Sequence, residues 1–264
     1  MAKSEQAPAP DHAGERLAKV MARAGLCSRR EAERWVADGR VSVNGKTVTS
    51  PALNVSEADR VEVDGRPLPE AAETRLWRYH KPAGLLVSHS DPQGRPTVFE
   101  KLPPELPRVV SIGRLDINTE GLLLITNDGE LARTLELPAT GWTRRYRVRV
   151  YGRADPERLA SLARGITLDG IRYGPIEARI DSEKGGNVWL TMALTEGKNR
   201  EIKLVLEHLG LTVNRLIRVA FGPFQLGDLA RGRVEEIPRR VLRDQLGQRL
   251  GGSLAKGPHA DRRR

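Results

Sequence analysis

Asp116 stands between two apolar runs in the stretch SIGRLDINTEGLLLITNDG, residues 111–129, with Arg114 two residues before it. A carboxylate in such a loop has two readings. Asp-x-Asn is good turn chemistry, in which the side chain accepts backbone N–H bonds. As a nucleophile or base, Asp116 would need a nearby cation that keeps it ionised where water is excluded, because desolvation favours the neutral acid. Lys203 is a candidate partner. On the helical segment NREIKLVLEHLG it lies about 100° round from Ile202, at the border of the apolar face, where a long stem can pack while its amine reaches a cleft. Tyr146 is a third candidate. In RRYRVRVYG strict alternation puts Tyr146, Val148 and Val150 on one face and Arg145, Arg147 and Arg149 on the other. Aromatic residues are only 4% of the chain, so Tyr146 is one of few rings available to stack on a base, or else an ordinary core aromatic. Spacing does not show that these three side chains meet.

Other chemistries are poorly supported. Five scattered histidines and a single Cys27 give no zinc-type ligand set, so no metal is expected. There is no G-x-x-x-x-G-K-[ST] loop and no strand-linked G-x-G-x-x-G, so no nucleotide cofactor is expected either. No run approaches the ~20 apolar residues of a membrane span. The N-terminus lacks the apolar core of a signal peptide, and one cysteine cannot form a disulfide within the chain. A soluble, cytoplasmic protein is the expectation. Its 44 Lys and Arg against 34 Asp and Glu leave a net charge of +10, which points to a polyanionic partner, most often nucleic acid.

The elements that must carry these residues fall into segments. Residues 1–14 and 248–264 read as disordered tails, the second basic, and 70–74 as a polar linker. Residues 15–69 read as a small module of two helices followed by short strands. Leu17, Val20, Met21 and Ala24 form one apolar stripe; Ser28 and Glu31 make a capping box that starts the second helix; Asn44-Gly45 suits a type I′ hairpin turn. Arg16, Lys19 and Arg23 recur along one helical edge, and Arg29 and Arg30 sit in the first turn of the second helix with Arg34 beyond. Positive charge there opposes the helix dipole, which a bound phosphate would relieve; a solvated face is the plain alternative. Residues 75–247 read as longer strands with interspersed helices and no regular βαβ alternation. That pattern argues an α+β fold with a mostly antiparallel central sheet and flanking helices.

Residues 15–69 resemble the S4 RNA-binding domain, through RLAKVMARAGLCSRREAERWVADGRVSVNGKTV. Residues 75–247 resemble the catalytic domain of the pseudouridine synthases, in the RsuA/RluB branch. The matching segments are HKPAGLLVS, GRLDINTEGLLLITNDG, RRYRVRV, EGKNREIKLVLEHLG and NRLIRVAFGPFQLGDL, in that order. The resemblance implies roles for single positions. Asp116 matches the catalytic aspartate, Tyr146 the tyrosine stacked on the uracil, and Lys203 the cation paired with the aspartate. Arg114 matches the residue that holds the target base out of its helix, and Leu216 or Ile217 lines the uracil pocket. The arginine before Tyr146 replaces a threonine-like position of many relatives. The implied activity is cofactor-free isomerisation of uridine to pseudouridine in ribosomal RNA, with the large subunit favoured and a monomeric protein expected. The alternatives are a small-subunit or tRNA enzyme of the same chemistry, and a non-catalytic ribosome-assembly factor that binds RNA through its S4 module.

Overall fold

The computed structural model describes residues 14–137 and 140–247, and the chain divides into two compact units between Glu73 and Thr74. The tails expected at 1–14 and 248–264 lie, apart from Gly14, outside the described residues.

The first unit begins with β1 (Glu15–Arg16), α1 (Leu17–Arg23) and α2 (Arg29–Ala37). The capping box is present: Ser28 Oγ accepts from the Glu31 amide at 3.1 Å and Glu31 Oε2 accepts from the Ser28 amide at 2.7 Å. Strands β2 (Val41–Val43), β3 (Lys46–Val48), β4 (Asn54–Val55), β5 (Val61–Val63) and β6 (Arg66–Pro67) follow. They pair in the order β3-β2-β5-β6, with β1 against β4. Asn44 and Gly45 both have positive φ, 53° and 77°, so the β2–β3 turn has the primed hand its residues suit. Leu17, Met21, Cys27, Ala32, Val36 and Val41 form the core beneath the helices.

The second unit is built on one large sheet. Its strands are β7 (Leu76–Lys81), β8 (Val110–Ile112), β9 (Thr119–Thr126), β10 (Arg144–Tyr151), β11 (Ile166–Leu168), β12 (Ile171–Tyr173), β13 (Ile176–Lys184), β14 (Asn187–Leu194), β15 (Thr212–Phe221), β16 (Phe224–Gln225) and β17 (Val234–Glu236). Its helices are α3 (Gly129–Glu136), α4 (Pro156–Ser161), α5 (Glu201–His208) and α6 (Arg239–Leu246). The sheet order is β13-β14-β10-β15-β9-β7-β17, with β16 on β15 and β8 on β9; β11 and β12 form a separate hairpin. Among the strand pairs of the described residues only β9 with β15 runs parallel, so the α+β architecture with a mostly antiparallel sheet holds.

Each face of this sheet is covered in parts. On one face, α4 and α5 pack Leu159, Ile202, Val205 and Leu206 onto Val148, Leu190, Met192 and Leu216. On the same face, the segment between β7 and β9 packs Leu85, Val98, Val109 and Leu115 onto Trp77, Tyr79, Leu123 and Ile125. On the opposite face, α3 and α6 pack Leu131, Leu135, Leu242 and Leu246 against Leu76, Leu122 and Leu124. Central β9 is covered on both sides, and all eight of its residues are buried; hence its near-continuous apolar run rather than an alternating one. Gly121 in β9 has φ +103°, and a Cβ there would collide with the Arg218 carbonyl of β15. The close parallel pairing of these strands therefore requires glycine.

Candidate active site

The site forms where the two packings on one face meet. Tyr146 on β10 is half-buried and packs against both clusters: the one containing Ile202 and Leu216, and the one containing Leu115. Leu115 and Ile202 are the chain neighbours of Asp116 and Lys203. The ammonium of Lys203 donates to Asp116 Oδ2 at 3.1 Å, across 87 residues of sequence. Lys203 is the more enclosed partner, with its side chain 16% exposed against 32% for Asp116. The carboxylate thus keeps one open side toward an incoming ligand while an amine balances its charge.

The loop that presents Asp116 is held from beneath. The Thr119 amide donates to the Asp116 carbonyl at 3.0 Å, closing a four-residue turn. The Gly84 amide donates to the Ile117 carbonyl at 2.7 Å. Lys81, fully buried, donates to the carbonyls of Ile117 at 3.0 Å, Thr119 at 2.9 Å and Pro82 at 3.0 Å. The Lys-Pro-x-Gly turn after β7 is therefore bonded to the turn that carries Asp116. Burial pushes the Lys81 amine down to about 8, with Asp116 and Glu120 opposing that shift and Lys203 adding to it. Lys81 was not among the residues singled out from the sequence. The signal was there: alternation along LWRYHK puts Lys81 on the face of Trp77 and Tyr79, both in the core.

A second charged network, centred on buried Glu120, anchors the start of β9. Glu120 accepts from Arg215 Nε at 2.7 Å and Arg215 Nη2 at 3.0 Å, and pairs with Arg231 at 3.1 Å. The Arg215 hydrogen bonds hold its carboxyl below the usual range. This network was also missed, because its members lie about a hundred residues apart.

The remaining expected residues fall as follows. Arg114 is exposed, next to buried Leu115, and has no hydrogen bond or ion pair among the described residues. Leu216 is buried in the cluster that contacts Tyr146, whereas Ile217 packs into the cluster on the opposite face. The structure thus separates two positions that the sequence left open. In the first unit, Arg29 and Arg30 are exposed and have no partner among the described residues. Arg16 instead donates to the Ala52 carbonyl, and Lys19 and Arg23 both pair with Glu15, Arg23 at 2.6 Å. The helical edge is therefore less cationic than its sequence implies. Among the described residues no group of His, Cys, Asp and Glu could hold a metal ion. Chemically, an amine-balanced carboxylate whose chain neighbours pack in the clusters that hold Tyr146 and Leu216 suits attack on, or proton removal from, a flat heterocycle and its attached sugar.

Comparison with known proteins agrees with both units. Residues 15–61 match the S4 domain and residues 75–208 match the RNA pseudouridylate synthase family. An uncharacterized RNA pseudouridine synthase of Rickettsia felis is 46% identical over 228 residues, covering 86% of this chain and 99% of its own. Ribosomal large subunit pseudouridine synthase B of Yersinia pestis is 44% identical over 222 residues, covering 81% of this chain and 69% of its own. A crystal structure of a pseudouridylate synthase superposes with a TM-score of 0.61 at 26% identity, over 88% of this chain and all of that one. The chain, with an S4 domain before its catalytic unit, belongs to the RNA pseudouridine synthase family.

Proposed function

We propose that the protein isomerises a specific uridine of ribosomal RNA, in the large subunit, with Asp116 as the catalytic carboxylate. The observation that carries the reading is the 3.1 Å ion pair between Lys203 and Asp116, at the seam where Tyr146 touches both flanking clusters. The large-subunit assignment is supported by the likeness to ribosomal large subunit pseudouridine synthase B.

The reaction breaks the N1–C1′ bond, turns the uracil and joins C5 to C1′; C5 gives up its proton and N1, freed from the sugar, takes one up. Nothing is oxidised and no group is transferred in. The uridine first leaves its stack at a cost of a few kcal/mol, and the flat, unpaired cation of Arg114 fills the space it vacates. The uracil lies against Tyr146 with Leu216 as the apolar wall. Asp116 attacks or deprotonates, and Lys203 holds it as the anion. Exposed Arg29 and Arg30 of the S4 unit contribute phosphate affinity, which weakens as salt rises. The protein works as a cytoplasmic monomer.

Mapping pseudouridines in total RNA from a deletion strain, with and without the restored gene, tests the reading. Loss of one large-subunit modification, recovered on restoration, is expected. An unchanged ribosomal RNA map, or a loss confined to tRNA, would overturn it.

A further inference from the structure

Among the described residues, the face of β10, β14 and β13 that turns away from α4 and α5 contributes none to the four core clusters; the next strand, β15, adds Ile217 to one of them. It carries Arg145, Arg147, Arg149 and Tyr151 from β10, with Asn187, Trp189 and Thr191 directly opposite on β14. Side chains on one face of paired strands meet across the ladder, and here they meet as cations and rings. The Arg147 guanidinium lies 4.7 Å from the centre of the Trp189 ring. Tyr151 is 57% exposed, and its ring lies against the β13–β14 turn, where a Cβ on Gly186 would come within 3.0 Å of it.

The charges on this face are not equally satisfied. Asp181 sits beside Arg147 and Arg179, at 4.0 and 3.1 Å. Arg215, the β15 partner of Arg149, is taken up by Glu120. Arg149 has no ion pair among the described residues, and its Nε is buried without a hydrogen-bond partner. A donor in that state is costly unless something accepts from it. It lines a cleft of about 450 Å³ with Ser182, Lys184, Asn187 and Trp189. Lys184, which is exposed, also has no ion pair among the described residues. Two free cations, a hydroxyl and an amide make a donor-rich pocket for a phosphodiester, with the open ring of Tyr151 beside it.

We propose that this face is a second RNA-contact surface of the catalytic unit, on the side of the sheet away from Asp116. Arg149 and Lys184 hold a backbone phosphate, and Tyr151 stacks on a neighbouring unpaired base, the arrangement by which exposed sheet faces bind single-stranded RNA. The contact engages RNA flanking the target uridine, and the inference rests on the RNA-modifying function proposed above.

The test is filter binding and turnover on a transcript of large-subunit ribosomal RNA across a salt series. It compares the unaltered protein, Arg149→Gln with Lys184→Gln, Tyr151→Ala, and a control with two charges removed from α6, Arg240→Gln with Arg243→Gln. For the cleft variant we expect about tenfold weaker binding and a salt slope shallower by about 0.7, for one phosphate of a single strand. The loss should fall on KM rather than kcat. Tyr151→Ala, at an exposed position that leaves the thermal midpoint in place, should weaken binding by about tenfold. Affinity and slope matching the unaltered protein, or an equal loss in the α6 control, would overturn the contact. So would a loss seen only on ribosomal particles and not on naked RNA, which would mean a protein occupant. If the unaltered protein itself neither binds nor converts the RNA, the functional reading falls and takes this inference with it.

Discussion

Lys81→Met removes the amine beneath the loop that carries Asp116 while keeping most of its stem. Three hydrogen bonds from a charged donor are lost, to Pro82, Ile117 and Thr119. Each is worth about 1.5–3 kcal/mol, and the Ile117 carbonyl retains its bond from the Gly84 amide. Against that, burial has moved the amine from 10.5 to about 8, so its charged form costs the fold about 3 kcal/mol that methionine does not incur. The net destabilisation expected is about 2–6 kcal/mol. Because the folded protein releases this proton where the unfolded chain still holds it, unfolding takes up a proton between pH 8 and 10.5. The stability of the unaltered protein relative to the methionine variant therefore rises by about 3 kcal/mol across that window. Urea denaturation of both proteins at pH 7.5 and about pH 10.5 reads this difference directly. Turnover at saturating RNA should fall about 10- to 100-fold in the variant, since small misplacements of a reacting group are costly. A stability difference flat with pH, or full turnover in the variant, would refute the claim that a buried ammonium at Lys81 positions Asp116.

Further outcomes follow from the same geometry. Lys203→Met should lose about 10²-fold or more in turnover with its far-ultraviolet circular dichroism unchanged; normal turnover would remove Lys203 from the site. Leu216→Ala and Ile217→Ala should each cost about 2–4 kcal/mol in urea unfolding, but only the change at Leu216, on the Tyr146 face, should also lower turnover of the folded protein. Arg29→Ala with Arg30→Ala should reduce the salt slope of RNA binding by about 2, whereas unaltered affinity would mean that this end of α2 does not touch RNA.

Much of this arrangement is legible in local pattern. Alternation along β10 places Tyr146 with Val148 and Val150, and the helical spacing of Ile202, Val205 and Leu206 orients α5 so that Lys203 stands at its border. Such periodicities are set by backbone geometry within a few residues. The pairing of Asp116 with Lys203 is different in kind. It depends on β9 lying parallel to β15 and on α5 crossing beside them, and no spacing within either segment encodes that. Long-range charge compensation was hidden for the same reason. Lys19 and Arg23 look free along α1, yet Glu15 takes both; Glu120 looks like a strand residue among apolar neighbours, yet it gathers Arg215 from β15 and Arg231 from a turn beyond it. Lys81 lies between these cases. Its inward parity could be read from β7, but the three carbonyls that justify a buried amine belong partly to a loop 36 to 38 residues away.

The central claim is that Asp116, balanced by Lys203, performs the isomerisation. The most direct measurement is single-turnover release of tritium from large-subunit ribosomal RNA carrying [5-³H]uridine, because C5 loses its hydrogen only when the new glycosidic bond forms there. Asp116→Asn, which keeps the size of the side chain and removes its charge, should bind the RNA as the unaltered protein does and release tritium at least about 10⁴-fold more slowly. Release at the unaltered rate would contradict the account.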